Sequence, residues 1–251
     1  MTSARDLERA WDFMRRGDIA GSRVEPFAHG TAIFTPELPL RHDSNYLLVE
    51  REAAADELAS DADRLQGGER LAHRAIVVPD DALGERLAPR FDELGWKVGR
   101  FVVMAHRREP ERASDLGLVR EVGEAALRGA RERAILAQPW GSREVAAQLL
   151  AAKRRIPLET RFFAVLVEGD VASGADLYSD GETAQVEDVW TDPEHRNRGY
   201  ASAVVLKAVE EARKRGASFV FLVCDAEDWP QDLYRRLGFD EIGRYYKFFR
   251  V

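Results

Sequence analysis

The stretch VWTDPEHRNRGYA, residues 189–201, decides how this 251-residue chain is interpreted. It ends a strand-like segment, contains a short polar loop, and leads into residues 200–215, where apolar side chains recur at helical spacing. Such a loop presents several backbone N–H groups at the positive end of the helix dipole, an arrangement that suits a pyrophosphate. Gly199 lets a phosphate approach closely, Ala201 keeps the first helical turn narrow, and the loop arginines add positive charge.

A second informative stretch is LYRRLGF, residues 233–239, which lies one predicted strand further along the chain. Together the two stretches resemble the GNAT superfamily of acyl-CoA-dependent N-acyltransferases. That family has an Arg/Gln-x-x-Gly-x-Gly/Ala signature at such a strand–helix junction, and Arg196, Gly199 and Ala201 match it. The resemblance covers roughly residues 117–251 and implies a GNAT fold there.

The resemblance implies acetyl-CoA as cosubstrate, with no metal. The strand that ends at Thr191 is then expected to splay from the next strand, Ser218–Cys224, so that the gap admits the pantetheine arm. The backbone of Val189 and Thr191 would hold that arm. The cofactor-binding residues implied in this way are Val189, Trp190, Thr191, Arg196, Asn197, Arg198, Gly199, Tyr200, Ala201 and Ser202.

Three residues are the catalytic candidates: Glu187, Asp188 and Tyr234. An alkyl amine has a pKa of about 10, so a carboxylate base would help it to lose a proton. The two carboxylates alternate faces of a regular strand, so at most one should enter a given cleft. We favour Glu187, which would share the face of Val189 and Thr191, and expect the Val189 N–H to meet the oxyanion.

Tyr234 matches the position of the family's usual proton donor to the leaving thiolate. A packed core tyrosine is the alternative for this residue, and a solvated strand residue is the alternative for one of the two carboxylates.

An internal repeat relates the two halves of the chain. RFDELGW, residues 90–96, parallels residues 233–239, and a Gly-Arg-aromatic step follows each copy, at 99–101 and 243–245. The repeat predicts an α+β protein with two GNAT-like domains, each a mixed, mostly antiparallel sheet flanked by helices.

The predicted boundaries place a first domain at 1–108, a polar linker at 109–116 and a second domain at 117–251. The first copy is expected to be degenerate. Its corresponding stretch, VEREAA at 49–54, has acidic residues where phosphates would lie, and Phe91 replaces Tyr234. We therefore expect it neither to bind CoA nor to catalyse.

Composition excludes several classes of protein. The 45% hydrophobic content argues against disorder, and the longest apolar runs are too short to cross a bilayer. The single cysteine excludes an internal disulfide and a Cys-rich zinc site, and no HExxH or close His pair indicates a metal. The net charge of -7 argues against general nucleic-acid binding. With no apolar leader segment visible, we expect a cytoplasmic protein without membrane partners.

The resemblance to the GNAT superfamily implies an enzyme, an N-acetyltransferase that moves an acetyl group from acetyl-CoA to a primary amine of a small molecule by direct transfer. The acidic loop Asp225–Pro230, where the family often has Asn, would favour a cationic acceptor. Two alternatives stay open: an acyl-CoA-binding sensor without turnover, and a protein or peptide N-acetyltransferase. A homodimer is also compatible with the sequence.

Overall fold

The computed structural model describes residues 2–251, with side chains from residue 4 onward. The helices in this range are α1 (Thr2–Ile19), α2 (Ala55–Gly68), α3 (Asp81–Glu93), α4 (Glu124–Leu136), α5 (Arg143–Lys153), α6 (Tyr200–Lys214) and α7 (Pro230–Arg236). The strands are β1 (Arg23–Phe27), β2 (Gly30–Phe34), β3 (Tyr46–Val49), β4 (Arg74–Val78), β5 (Lys97–His106), β6 (Val119–Val122), β7 (Glu159–Val167), β8 (Asp170–Ser179), β9 (Thr183–Thr191), β10 (Phe219–Asp225) and β11 (Phe239–Arg250).

All of these strands form one continuous sheet, in the order β1-β2-β3-β4-β11-β5-β10-β9-β8-β7-β6. Each half contributes one parallel pair, β3 with β4 and β9 with β10. A helix follows the first strand of each pair and another follows the second, so α2 corresponds to α6 and α3 to α7. The predicted α+β class with two related halves is confirmed.

The two halves exchange their last strands. β5, from the first half, lies between β10 and β11, whereas β11, from the second half, lies between β4 and β5. The antiparallel register between them pairs Phe101 with Tyr245, the aromatic residues that end the two copies of the repeat. Their rings stack at a centroid distance of 5.2 Å. The repeated segments therefore occupy equivalent places, as the sequence predicted, and each half completes the sheet of the other.

The segment between the halves is packed rather than free. Arg107 and Arg108 donate backbone hydrogen bonds to the carbonyl oxygen of Gly238, and the N–H of Glu111 donates to Arg236. The boundaries at 108 and 117 stay a prediction, because the sheet runs across both halves without a break.

The faces of the sheet are covered differently. α6 packs on a core cluster with β5, β7, β8, β9 and β10, and α2 and α3 pack on a second cluster with β3, β4 and β11. On the opposite face, Ala10 and Phe13 of α1 pack against strands from both halves. This opposite face, together with α4 and α5, encloses the cavity described below.

Candidate active site

A bulge interrupts β9 at the predicted base. In the pairing with β8, Glu187 lies opposite Asp176 and Trp190 opposite Gly174, so two residues of β9 face one residue of β8 between them. Asp188, within the bulge, has a φ of 51°, which is uncommon for a residue other than glycine.

The bulge changes which side chains share a face. Glu187, Asp188 and Trp190 all line one cavity, whereas Val189 packs toward the core beneath α6. Two sequence-based expectations are therefore wrong: Glu187 does not share the cavity face with Val189, and both carboxylates enter the same cleft. Strict alternation failed because it assumes a regular strand.

The predicted splay between β9 and β10 is present. Their parallel pairing covers three rungs, from Phe219 opposite Thr183 to Phe221 opposite Gln185. Beyond that point β9 continues to Thr191 without pairing to β10. β10 continues to Asp225 and pairs there only with β5, on its other side. The edge of residues 186–191 that faces β10 thus has no strand beside it.

The loop before α6 forms an open cradle. Arg196, Asn197, Arg198 and Gly199 are exposed, and both Asn197 and Gly199 have left-handed backbone conformations, with φ of 62° and 78°. No side chain caps the N-terminus of α6, so its first N–H groups lack an internal acceptor. A Cβ placed on Gly199 would meet no atom within 4 Å. The residues present therefore fit a phosphate group, with two guanidinium groups beside it.

The other predicted cofactor-binding residues lie on either side of this cradle. The carbonyl of Trp190 accepts a hydrogen bond from Ser173 Oγ at 2.8 Å. The hydroxyl oxygen of Thr191 lies 3.0 Å from Ser173 Oγ. Tyr200 packs against the α6 core, and Ala201 and Ser202 are half-buried in the first helical turn. Strand end, loop and helix start are thus contiguous.

The cavity beside Glu187 has a volume of about 870 Å³. Its walls come from both halves of the chain: α1, β3 and β5 from the first, and α4, α5, β8, β9, β10 and β11 from the second. The first half therefore contributes directly to the space next to the candidate base.

Glu187 has no cation paired with it among residues 4–251. One carboxylate oxygen accepts a hydrogen bond from Gln185 Nε2 at 2.7 Å. The other makes no hydrogen bond within the described residues and is not sealed from solvent. Burial, reinforced by the charge of Asp188, raises the pKa of Glu187 to about 7, although Lys153 opposes the shift. A carboxylate with this pKa can take up and release a proton near neutral pH.

Asp188, in contrast, is engaged in a network of charges. Its Oδ2 lies 3.1 Å from Arg131 Nε and 3.0 Å from Lys153 Nζ. Both cations also pair with Asp176, which is fully buried and accepts a further hydrogen bond from the Tyr178 hydroxyl. This pairing suits Asp188 to holding the bulge in place rather than to carrying a proton.

Sequence reasoning missed the partners in this network. Asp176 is the carboxylate within the buried stretch 172–178 of β8, and a buried charge of that kind requires a paired cation. That signal was visible. Arg131 and Lys153 lie on helices of the same half, and nothing in their sequence context distinguished them from surface residues.

Tyr234 is buried, with 8% of its surface exposed, and its ring meets Phe239 edge-on. Burial raises the pKa of its hydroxyl, and the nearby Cys224 and Glu187 raise it further. The side chain does not line the cavity, and no described residue hydrogen-bonds its hydroxyl. Its position, on the core side of β10 and close enough to feel the charge of Glu187, is compatible with both packing and proton donation.

The described residues contain neither a metal-binding cluster nor a helix that could span a membrane. No group of three or more His, Cys, Asp or Glu side chains among them is arranged to hold a metal ion. None of their helices has the length and apolar character that a membrane crossing requires.

The model of the acetyltransferase (GNAT) family matches residues 129–239. An uncharacterised N-acetyltransferase of Methanocaldococcus jannaschii is 39% identical over 61 residues, which are 24% of this chain and 27% of the relative. The chain thus spans about a quarter of the length of that curated relative.

Solved structures show the same fold over nearly the whole chain. A functionally unknown conserved protein from Staphylococcus epidermidis superposes with a TM-score of 0.69 at 16% identity, covering 92% of this chain and 94% of that one. A GCN5-related N-acetyltransferase from Kribbella flavida gives a TM-score of 0.60 at 17% identity, with 96% and 93% covered.

A tandem GNAT protein from the clavulanic acid biosynthesis pathway gives a TM-score of 0.56 at 13% identity, with 91% and 78% covered. At these identities the likeness concerns the fold alone. It extends over both halves, whereas the family model covers only part of the second half. The family match, the strand splay and the uncapped helix lie together in one segment, and this part of the chain is therefore similar to the GNAT acetyltransferases.

Proposed function

We propose that this protein transfers the acetyl group of acetyl-CoA to a primary amine of a small molecule. The observation that carries the proposal is the position of Glu187: an unpaired carboxylate with a pKa near 7, in a large cavity at the point where β9 and β10 separate. The cradle at residues 196–202 lies at the far end of the same strand.

Bound acetyl-CoA supplies an acetyl group activated as a thioester. The chain's own residues hold it: the N–H groups at the start of α6 with Arg196 and Arg198 toward the pyrophosphate, and the free edge of β9 toward the pantetheine. The N–H of Val189 is the proposed donor to the carbonyl oxygen of the acetyl group.

Glu187 takes one proton from the acceptor ammonium, which frees the nitrogen lone pair for attack on the acetyl carbon. The new C–N bond forms and the C–S bond breaks, the nitrogen releases its second proton to water as the amide forms, and Tyr234 gives its hydroxyl proton to the departing sulfur. The Tyr234 hydroxyl is protonated at neutral pH, as a proton donor must be, and burial raises its pKa further. Proton exchange with water then restores both residues.

The test is product formation from acetyl-CoA with a panel of small amines, by wild type and Glu187→Gln. We expect the substitution to lower kcat/KM by about 10²–10⁴-fold. In the wild type, kcat/KM should rise with pH through about 7, because the base must be deprotonated. Acetyl-CoA binding without turnover for any amine would contradict the proposal and favour the sensor.

A further inference from the structure

The cavity has a second carboxylate that lacks a cation partner. Asp18, near the end of α1, lines the same space as Glu187 but belongs to the first half of the chain. One of its oxygens accepts a hydrogen bond from the Tyr46 hydroxyl at 2.8 Å. The other has no hydrogen-bond partner within residues 4–251 and is not sealed from solvent. Asp18 and Glu187 thus share one pattern, with one oxygen anchored and one available.

Several other charged side chains that line the cavity have partners, although Asp225, at the end of β10, makes no ion pair among the described residues and accepts a hydrogen bond from the Glu227 N–H at 2.8 Å. Lys247 binds Asp43 at 2.9 Å, and Arg155 reaches Glu37 at 3.3 Å. Two further cations are taken by the Asp176 and Asp188 network described above. Arg41 donates to Ser44 Oγ at 2.7 Å and makes no ion pair among the described residues, although its charge and that of Lys247 are felt at Asp18.

One wall of the cavity that Asp18 and Glu187 share is aromatic. Tyr245 stacks on Phe101 at 5.2 Å and meets the ring of Trp11 edge-on at 4.9 Å, and all three line the cavity. Burial raises the pKa of the Tyr245 hydroxyl to about 12, and the charges of Glu187 and Asp18 add to that shift. Aromatic faces of this kind pack well against methylene groups and also attract cations.

We infer that Asp18, held by Tyr46, binds a second cationic group of the acceptor, so that the preferred substrate is a diamine whose two amino groups are joined by an apolar spacer. One ammonium would deliver its proton to Glu187 and react, while the other pairs with Asp18 and the spacer lies along the aromatic wall. The inference rests on the proposed function, since it names the substrate class of that same cavity. Asp18 acts here as a specificity residue and has no role in proton transfer.

The experiment compares terminal diamines, from diaminopropane to diaminooctane, with the matched alkylamines propylamine to octylamine. The readout is the ratio of kcat/KM for each diamine to that of the amine of equal length. Wild type should show a ratio well above one that peaks at one spacer length. Asp18→Asn should lower that peak ratio by about 10- to 100-fold, the usual range for a lost hydrogen bond to a charged group.

Asp12→Asn is the matched control, because Asp12 is exposed on the same helix and undergoes the same chemical change. Its ratio should equal that of the wild type. A ratio near one in the wild type, or an equal ratio in both variants, would overturn the inference even if acetyl transfer occurs.

Calorimetry of the same diamines with the full chain, without acetyl-CoA, separates this inference from the proposed function. If no amine is acetylated, the proposed function fails. Tighter diamine binding by wild type than by Asp18→Asn would still support the subsite, and equal binding would refute it.

Discussion

The N-termini of α2 and α6 occupy equivalent places in the two halves, yet they differ in the features that decide anion binding: open space, side-chain charge and free N–H groups. At α6, Gly199 leaves open space and arginines flank uncapped N–H groups. At α2, the N–H of Ala54 donates to the Glu57 carboxylate at 3.1 Å, and further acidic side chains surround it. The scaffold is shared, but only the start of α6 has the open space, uncapped N–H groups and arginines that suit an anion.

Tyr234 and Phe91, each three residues before a Leu-Gly pair of the repeat, show the same divergence. Tyr234 has a hydroxyl near Glu187, whereas its counterpart Phe91 is fully buried between Phe248, stacked at 4.1 Å, and Trp96. At this position the first half thus has a side chain that only packs in the core. Through α1, β3 and β5 it instead supplies the wall of the cavity that the second half opens. Duplication, on this account, separated cosubstrate binding from acceptor recognition.

The largest expected effect follows from the strand exchange. Residues 117–251 produced alone would lose β5, which pairs on one side with β10 and on the other with β11. We expect this fragment to lack a cooperative thermal transition, and co-production with residues 1–116 to restore one. A fragment that unfolds at the temperature of the full chain would show that the halves are independent after all.

The next effect concerns acetyl-CoA binding. Gly199→Glu places a carboxylate in the cradle, and we expect calorimetry to detect no binding. Gly199→Ala controls for backbone strain, because a left-handed residue with a Cβ costs roughly 1–2 kcal/mol without adding charge. Ala54→Glu makes the equivalent change at α2 and should leave the affinity unchanged. An unaffected affinity in Gly199→Glu would place the pyrophosphate elsewhere.

Tyr234→Phe should lower kcat by about 10²–10⁴-fold while acetyl-CoA affinity stays constant. Phe91→Tyr, the mirror substitution, should leave kcat unchanged but destabilise the protein by about 1–3 kcal/mol, since it buries a hydroxyl without a partner. Urea unfolding and steady-state kinetics on both variants check the pair. A Tyr234→Phe variant with full activity and reduced stability would assign Tyr234 to packing.

The smallest effect is on stability. Burial raises the pKa of Glu187 from 4.5 to about 7, so the folded protein holds the carboxyl proton more tightly than the unfolded chain does. The free energy of unfolding gained in this way is fully present below pH 4.5 and is lost as the pH rises through 7. Glu187→Gln does not titrate, so its free energy of unfolding should exceed that of the wild type at pH 8, by up to about 3 kcal/mol. Urea unfolding at pH 5 should show a smaller gain. A gain independent of pH would mean that Glu187 is not strained by burial.

Much of this fold could be predicted because local signals agreed with it. The duplicated Leu-Gly turns follow α3 and α7, where Gly95 and Gly238 both have a left-handed backbone, and the two Gly-Arg-aromatic steps lie in β5 and β11. The strand exchange could not be predicted, because β5 and β11 carry the same pattern whichever neighbours they pair with. β1, with Pro26 and a largely exposed pattern, gave no strand signal.

The candidate site divides in the same way. Its backbone features at Arg196–Ala201 depend on local sequence and were visible. The bulge at Asp188 depends on the buried charges of Asp176, Arg131 and Lys153, which the fold brings together from three elements. Asp18 enters the cavity only because α1 crosses the face of the joined sheet.

We propose that the second half binds acetyl-CoA and that the first half does not. Isothermal titration of the full chain with acetyl-CoA tests this proposal. We predict one site per chain in the wild type, unchanged in Ala54→Glu and lost in Gly199→Glu. Two sites per chain, or one site that survives in Gly199→Glu, would contradict the account.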